Sequence, residues 1–346
     1  MTSNKVSQIG PHIAHGLGSL GKHTPRSYRG WMVAGAAAAA TLAASVVFNR
    51  VSASKAERRT PPAGKFVQID GVRLHYVDRG EGPVVVLLHG NGVLLQDFEV
   101  SGVLGLAAER HRVIAFDRPG FGYSERPDTS SWTPEAQADL IARALRLIGV
   151  GPAMVVGHSW GTMVALAMAL DHPSAVAGLV LVSGYYYGTA RPDVVPFSAP
   201  AIPVLGPLLA HTLAPLTGRL IAPGAIKASF APAPIPDKFD DLPMAMTVRP
   251  SQIEATGADT AMMVPSAARL SGRYGELKMP IVVMAGEGDL ITHMDEHAQR
   301  FAKEVSAAEL RIVPGQGHML HYAVPEQVVA AIDAAWAKEP SKTAGQ

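Results

Sequence analysis

Ala153-Met154-Val155-Val156-Gly157-His158-Ser159-Trp160-Gly161 decides how this chain folds. The first four residues are apolar without alternation, as expected of a strand buried on both faces of a parallel sheet. Trp160 to Asp171 then has the apolar spacing of a buried helix. Between them lies Gly-x-Ser-x-Gly, and the chain has to turn sharply there. A serine hydroxyl is a weak nucleophile unless it is lifted clear of the sheet beside a base. A tight strand-to-helix turn does that, and the flanking glycines relieve the crowding it causes. Ser159 is therefore the candidate nucleophile.

The same rhythm extends outward in both directions. Lys65 to Ile69 and Val72 to Asp78 alternate around Asp70-Gly71, the signature of a hairpin. Further short apolar runs follow at Val84 to Leu88, Arg112 to Phe116, Leu179 to Val182, Ile281 to Met284 and Leu310 to Val313. Helical stretches separate them, over Pro134 to Ile148, Asp295 to Val305 and Pro325 to Ala337. Thr133 and Pro134 have the residue types of an N-cap and a first helical position. Strands alternating with helices predict a wound α/β domain with right-handed crossovers. Nearly a hundred residues between Ser183 and Ile281 break the rhythm. Rich in Pro, Leu and Ala, they read as an inserted helical cap over the C-terminal edge of the sheet, where such sheets bind ligands.

The remaining chemistry falls at the same edge. His89-Gly90-Asn91-Gly92 follows the strand Val84 to Leu88. Such a turn can offer a backbone N–H to an oxyanion, from Asn91 or alternatively Gly92, and the Trp160 N–H at the start of its helix offers another. His89 itself reads as ordering the loop. Pro314-Gly315-Gln316-Gly317-His318 follows the last strand, so His318 is the candidate base, ahead of the neighbouring His321, which is read as packed or at the surface. Asp289, in Met284-Ala285-Gly286-Glu287-Gly288-Asp289, is the candidate orienting acid. Glu287 lies too near the strand end, and Asp295 reads as the first turn of a helix. The loop after Val182 holds no carboxylate before Asp193.

With these residues in the order Ser159, Asp289, His318, the chain from about Lys65 to Ala337 resembles the α/β-hydrolase superfamily. Asp117-Arg118-Pro119-Gly120-Phe121-Gly122-Tyr123-Ser124 is similar to the D-x-x-G-x-G-x-S loop of its epoxide-hydrolase-like branch. The resemblance implies a mostly parallel eight-stranded sheet, helices on both faces and an inserted cap. It divides the chain into a core of 65–187 and 279–338 and a cap of 188–278. The branch includes esterases, carbon–carbon bond hydrolases, perhydrolases, haloalkane dehalogenases and epoxide hydrolases. The last two use an aspartate nucleophile, which Ser159 argues against. Asn91 and Trp160 resemble the halide-holding pair of some dehalogenases and are read as shared ancestry. Tyr185, Tyr186, Tyr187, Phe197, Leu208 and Leu209 supply an apolar inventory in the cap region, so the expected substrate is a small to medium hydrophobic ester. A carbon–carbon bond hydrolase or lyase, and a ligand-binding relative with a vestigial triad, are the alternatives.

The first 64 residues are of another kind. Residues 1–30 read as a disordered tail. Trp31 to Phe48 runs without a charge, and as a helix it would be about 27 Å long, enough to cross a bilayer core. Residues 49–64 read as a linker, and 339–346 as a disordered tail. An uncleaved anchor, a signal peptide cut near Val51-Ser52-Ala53 and an Ala-rich helix are the three readings, and basic residues on both flanks leave the side of the membrane open. A net charge of +1 in 346 residues provides no field for nucleic acid. The absence of cysteine excludes thiolate chemistry and disulfides, and no metal-spaced cluster or cofactor motif occurs. Nothing in the sequence indicates an oligomeric state.

Overall fold

The computed structural model describes residues 26–128, 130–192 and 194–339. The expected tails at 1–25 and 340–346, and Asp193, lie outside the described residues. The chain divides into two units, one up to Ala44 and the other from Ser45 onward.

The larger unit is built on eight strands: β1 (Lys65–Ile69), β2 (Val72–Arg79), β3 (Val84–Leu88), β4 (Arg112–Phe116), β5 (Ala153–His158), β6 (Val176–Val182), β7 (Ile281–Gly286) and β8 (Ala308–Val313). They lie in the order β1-β2-β4-β3-β5-β6-β7-β8. β2 is antiparallel to both β1 and β4, and the remaining pairs are parallel. Each predicted strand is present, so the expected mostly parallel eight-stranded sheet is the one observed.

Strand residues alternate between the two faces, as the pleat requires. Val86, Leu88, Val155, Leu179, Leu181 and Val283 pack against the helices Pro134–Leu147 and Gly161–Asp171. Val85, Leu87, Val156, Val180, Val182 and Met284 pack on the other face with Val328, Val329 and Ile332 of the helix Pro325–Lys338. Burying each such side chain contributes about 1.5–3 kcal/mol. Both faces being dry, the sheet exposes only its edges. β3, β5, β7 and β8 all end where the motif loops begin.

Between β6 and β7 the chain is helical, with Leu205–His211, Ala214–Phe230 and Pro250–Ser271 as its longer elements. The stretch predicted as one helix from Asp295 to Val305 is instead a π-helical turn, Asp295–Gln299, followed by Arg300–Glu304.

The N-terminal helix departs from expectation at both ends. It runs over Arg26–Arg59, through the last residues of the expected tail and most of the expected linker. The apolar run stops at Phe48, but helix-forming residues continue, with no Gly or Pro before Pro61. Pro61 and Pro62 then end the helix, since a residue before proline is turned away from the α region. Its last turns are docked, which no free linker would be. Asn49 donates to the carbonyls of His211 (3.1 Å) and Thr212 (2.7 Å), Ala56 packs with Leu94 and Met246, and Glu57 pairs with Arg249 at 2.8 Å. Within Gly30–Arg59 an 18-residue window reaches a mean hydropathy of 1.8, long and apolar enough for a membrane span or a signal sequence.

Candidate active site

Ser159 sits at the sharp turn out of β5 with a φ of 51°, a conformation that costs an L-residue about 1–2 kcal/mol. Surrounding bonds hold it there: its N–H donates to the Val182 carbonyl at 2.9 Å, and its carbonyl accepts from the Thr162 N–H at 3.0 Å. The flanking glycines are required by contact. A Cβ at Gly157 would lie 2.6 Å from the Gly161 carbonyl oxygen, and one at Gly161 would lie 2.2 Å from that of Leu88.

Asp289 follows β7 in a turn that its own side chain organises. One carboxylate oxygen accepts the N–H groups of Ile291 (2.8 Å) and Thr292 (3.0 Å). The other accepts the Thr292 hydroxyl at 2.8 Å and lies 2.9 Å from His318 Nδ1. Burial alone would raise this carboxyl. The pull and hydrogen bond of His318, with the Thr292 donors, outweigh it and hold Asp289 down to about 2. Glu287 takes a different task and accepts the Gly315 N–H at 3.2 Å.

On the opposite side of Ser159, Asn91 and Trp160 are anchored by their side chains. Asn91 Nδ2 donates to the Thr256 carbonyl and to Thr260 Oγ1, and Trp160 Nε1 donates to the Asp259 carbonyl at 3.0 Å. Both are thus committed within the protein, unlike a pair that holds a halide. The backbone differs. Among the described residues, no hydrogen bond engages the Asn91 or Trp160 N–H, whereas the Gly92 N–H is taken by Asn91 Oδ1 at 3.0 Å.

Three buried groups that sequence reasoning did not single out brace this arrangement. Arg118, fully buried, bonds Asp259 at 2.6 Å and Gln137 at 3.0 Å, and it also donates to the carbonyls of His89 (2.8 Å) and Gly90 (3.0 Å). It ties the loop carrying Asn91 to the helix Pro250–Ser271. His89 orders that loop as expected, accepting the Arg118 N–H through Nε2 at 3.0 Å. Burial first, then the nearby Arg118 charge, pushes its imidazole down to about 3, so it stays neutral.

The second brace is Asp97, which accepts from His321 (3.0 Å) and the Tyr322 hydroxyl (3.0 Å). Burial would raise Asp97, but His321, together with His158 and the Tyr322 hydroxyl, outweighs it and the carboxyl lies below its ordinary value. The third is His158, whose Nε2 lies 3.2 Å from the His318 carbonyl and whose Nδ1 lies 3.7 Å from Asp97. Burial, together with His321 and His318, keeps His158 well below the usual imidazole range. Of the two readings of His321, packed or at the surface, the structure shows the packed one. Asp97, His158 and His321 are also the one group among the described residues with the spacing to hold a metal ion. The bonds Asp97 already accepts account for their closeness.

Ser159, His318, Asn91 and Trp160 line one cavity of about 840 Å³, walled by Phe197, Leu213, Ile221 and Met263 among other apolar residues. Tyr185 and Leu209 also reach it. Tyr186 and Tyr187, expected in the apolar inventory, do not. They pack in the core, Tyr186 on Phe301 with ring centroids 4.7 Å apart, because both of their N–H groups are held on His297 Nδ1 at 3.2 and 3.4 Å. Leu208 points away and is half exposed.

Sheet order, strand-to-helix serine turn and inserted helices define an α/β hydrolase. A model of the alpha/beta hydrolase fold family matches residues 83–323, and the chain belongs to that family. It is 33% identical over 126 residues to 2-hydroxymuconate semialdehyde hydrolase of Pseudomonas putida, a match covering 36% of this chain and 45% of that protein. It is 29% identical over 261 residues to the magnesium-chelatase 30 kDa subunit of Rhodobacter capsulatus, covering 71% and 84%. An esterase from Exiguobacterium antarcticum superposes with a TM-score of 0.67 at 20% identity, over 79% of this chain and 99% of its own. The chain thus spans less than half the length of the first of these relatives.

Proposed function

We propose that this chain is a serine hydrolase that cleaves a small to medium hydrophobic ester through an acyl-enzyme, while an uncleaved N-terminal helix anchors it in a membrane. The observation that carries the chemistry is that His318, paired with Asp289 at 2.9 Å, lines the same cavity as Ser159. Ser159 Oγ attacks the ester carbonyl as His318 takes its proton. The Asn91 and Trp160 N–H groups receive the oxyanion. Asp289, ionised far below neutral pH, stabilises the imidazolium and holds its Nδ1 proton. His318 then protonates the departing alcohol, and water releases the acid by the same steps. Among the described residues the Ser159 hydroxyl is hydrogen-bonded to none, and in this reading its bond to His318 forms when substrate arrives. In this reading residues 188–278 form the cap, and its apolar walls favour a hydrophobic acyl group.

The anchor reading is supported by the helix itself. Cleavage near Ala53 would cut it in mid-course and remove Asn49 with both of its hydrogen bonds.

The test is labelling of the full chain by a fluorophosphonate beside an ester panel. Wild type is expected to label and turn over, and Ser159→Ala to do neither. Hydrolysis retained in Ser159→Ala ends the proposal. The likeness to a semialdehyde hydrolase supports a second reading, a carbon–carbon bond hydrolase using the same residues. Slow turnover of p-nitrophenyl esters against fast cleavage of a vinylogous diketone would favour it.

A further inference from the structure

Large apolar side chains that face solvent are not scattered over this molecule. Among the described residues, seven fall within 28–51, ten within 195–221 and only five elsewhere. The second group occupies the helices Leu205–His211 and Ala214–Phe230 and the turns before them. Val204 is 89% exposed and Leu220 81%. From Val194 to Ile226 the sequence has one formally charged residue, Arg219, and no acid. A soluble monomer rarely leaves so continuous an apolar surface wet, and such a surface marks a binding face.

Two observations say what covers it. The first is continuity with the N-terminal helix. Asn49 is bonded to His211 and Thr212, and the Arg219 guanidinium lies over the Phe48 ring at 5.5 Å, so the end of the apolar run at Phe48, which belongs to the larger unit, adjoins this face. The second concerns the cavity. Phe197, Leu213 and Ile221 line it and are also 52%, 48% and 47% exposed. The entrance therefore lies within the apolar surface.

We infer that this face of the cap rests in the outer layer of the same bilayer the N-terminal helix enters, and that the cavity opens onto lipid. The substrate is then a bilayer-dissolved ester that reaches Ser159 laterally. This rests on the anchor and the serine nucleophile proposed above. Arg219 and Arg50, both exposed, are placed to meet anionic headgroups at the rim.

Because the chain has no cysteine, one engineered thiol reports one place. The full chain, reconstituted in vesicles of phosphatidylcholine and phosphatidylglycerol, carries an environment-sensitive fluorophore at Ala37→Cys, Val204→Cys, Leu220→Cys or the reference sites Leu147→Cys and Ile312→Cys. Nitroxide-labelled lipid should quench the first three severalfold more than the references, and aqueous iodide should do the reverse. Quenching by lipid at Ala37→Cys with iodide reaching Leu220→Cys overturns the inference. So does shielding of Leu220→Cys from both quenchers, which would mean that a second copy covers the face. Failure at Ala37→Cys as well would sink the anchor with it. In a separate arm, Leu216→Asp with Leu220→Asp should leave turnover of a soluble acetyl ester within about twofold and lower that of a vesicle-borne long-chain ester by at least about tenfold. Equal loss on both esters overturns the lateral route. If wild type hydrolyses neither, the serine reading fails, and the quenching pattern still judges the docking.

Discussion

At Ser159 the backbone is held in a region that side chains avoid, and the hydroxyl gains its reach from that turn. Ser159→Ala keeps the turn and its backbone bonds. We expect stability within about 0.5 kcal/mol of wild type and a loss in kcat of at least about 10⁴-fold, read by urea unfolding and by turnover. For Asp289 the sign follows from its carboxyl being lowered to about 2 in the folded state. Its contribution is fully present above the unfolded value near 4 and disappears as pH falls towards 2. Asp289→Asn should therefore cost about 2 kcal/mol at pH 7 and almost nothing near pH 2. A deficit that persisted at low pH would show that packing, not charge, is what Asp289 supplies. Ser159, His318 and Asp289 could be read from sequence because each stands just past a strand end, where local turn chemistry identifies it. Asp97 and His158 could not, since their meaning depends on neighbours far away in the chain.

The loop of Asn91 and the helix Pro250–Ser271 meet through Arg118 and Asp259, both fully buried. Burial pulls the Arg118 guanidinium below its ordinary value, against the attraction of Asp259. Asp259→Asn should leave a buried cation short of its partner and cost about 3–5 kcal/mol, measured by the urea midpoint. Arg118→Met with Asp259→Leu should recover part of that stability but not turnover, because the carbonyls of His89 and Gly90 lose their donor. Strands were legible because short β-branched runs admit few other conformations, and the serine turn declared itself between two of them. The Arg118–Asp259 pair spans 141 residues, and no local pattern announces such a bond. Helix Arg26–Arg59 was misjudged at its ends for a related reason. Apolarity marks where a helix could meet lipid, not where its hydrogen-bonded ladder stops.

Across the whole molecule, buried neutral histidines set the response to acid. Burial, the leading cause in each, pushes His89 down to about 3 and His297 to about 4. Folding with such groups is favoured above their unfolded value near 6.5, and that advantage is lost as pH falls towards the folded values. Each should cost about 1.4 kcal/mol by pH 5.5. Urea midpoints measured from pH 8 to pH 5 should fall accordingly, and His89→Gln should flatten the slope.

Docking of the last turns of the N-terminal helix has a practical corollary. Ala56 covers Leu94 and Met246, and Tyr123 donates its hydroxyl to the carbonyls of Glu57 and Thr60. A protein shortened to start at Gly64 for easier handling would be trimmed into its own masonry. Leu94, three positions beyond Asn91, would be left facing water, and sluggish turnover by such a truncated form would reflect that wound and not the native chemistry.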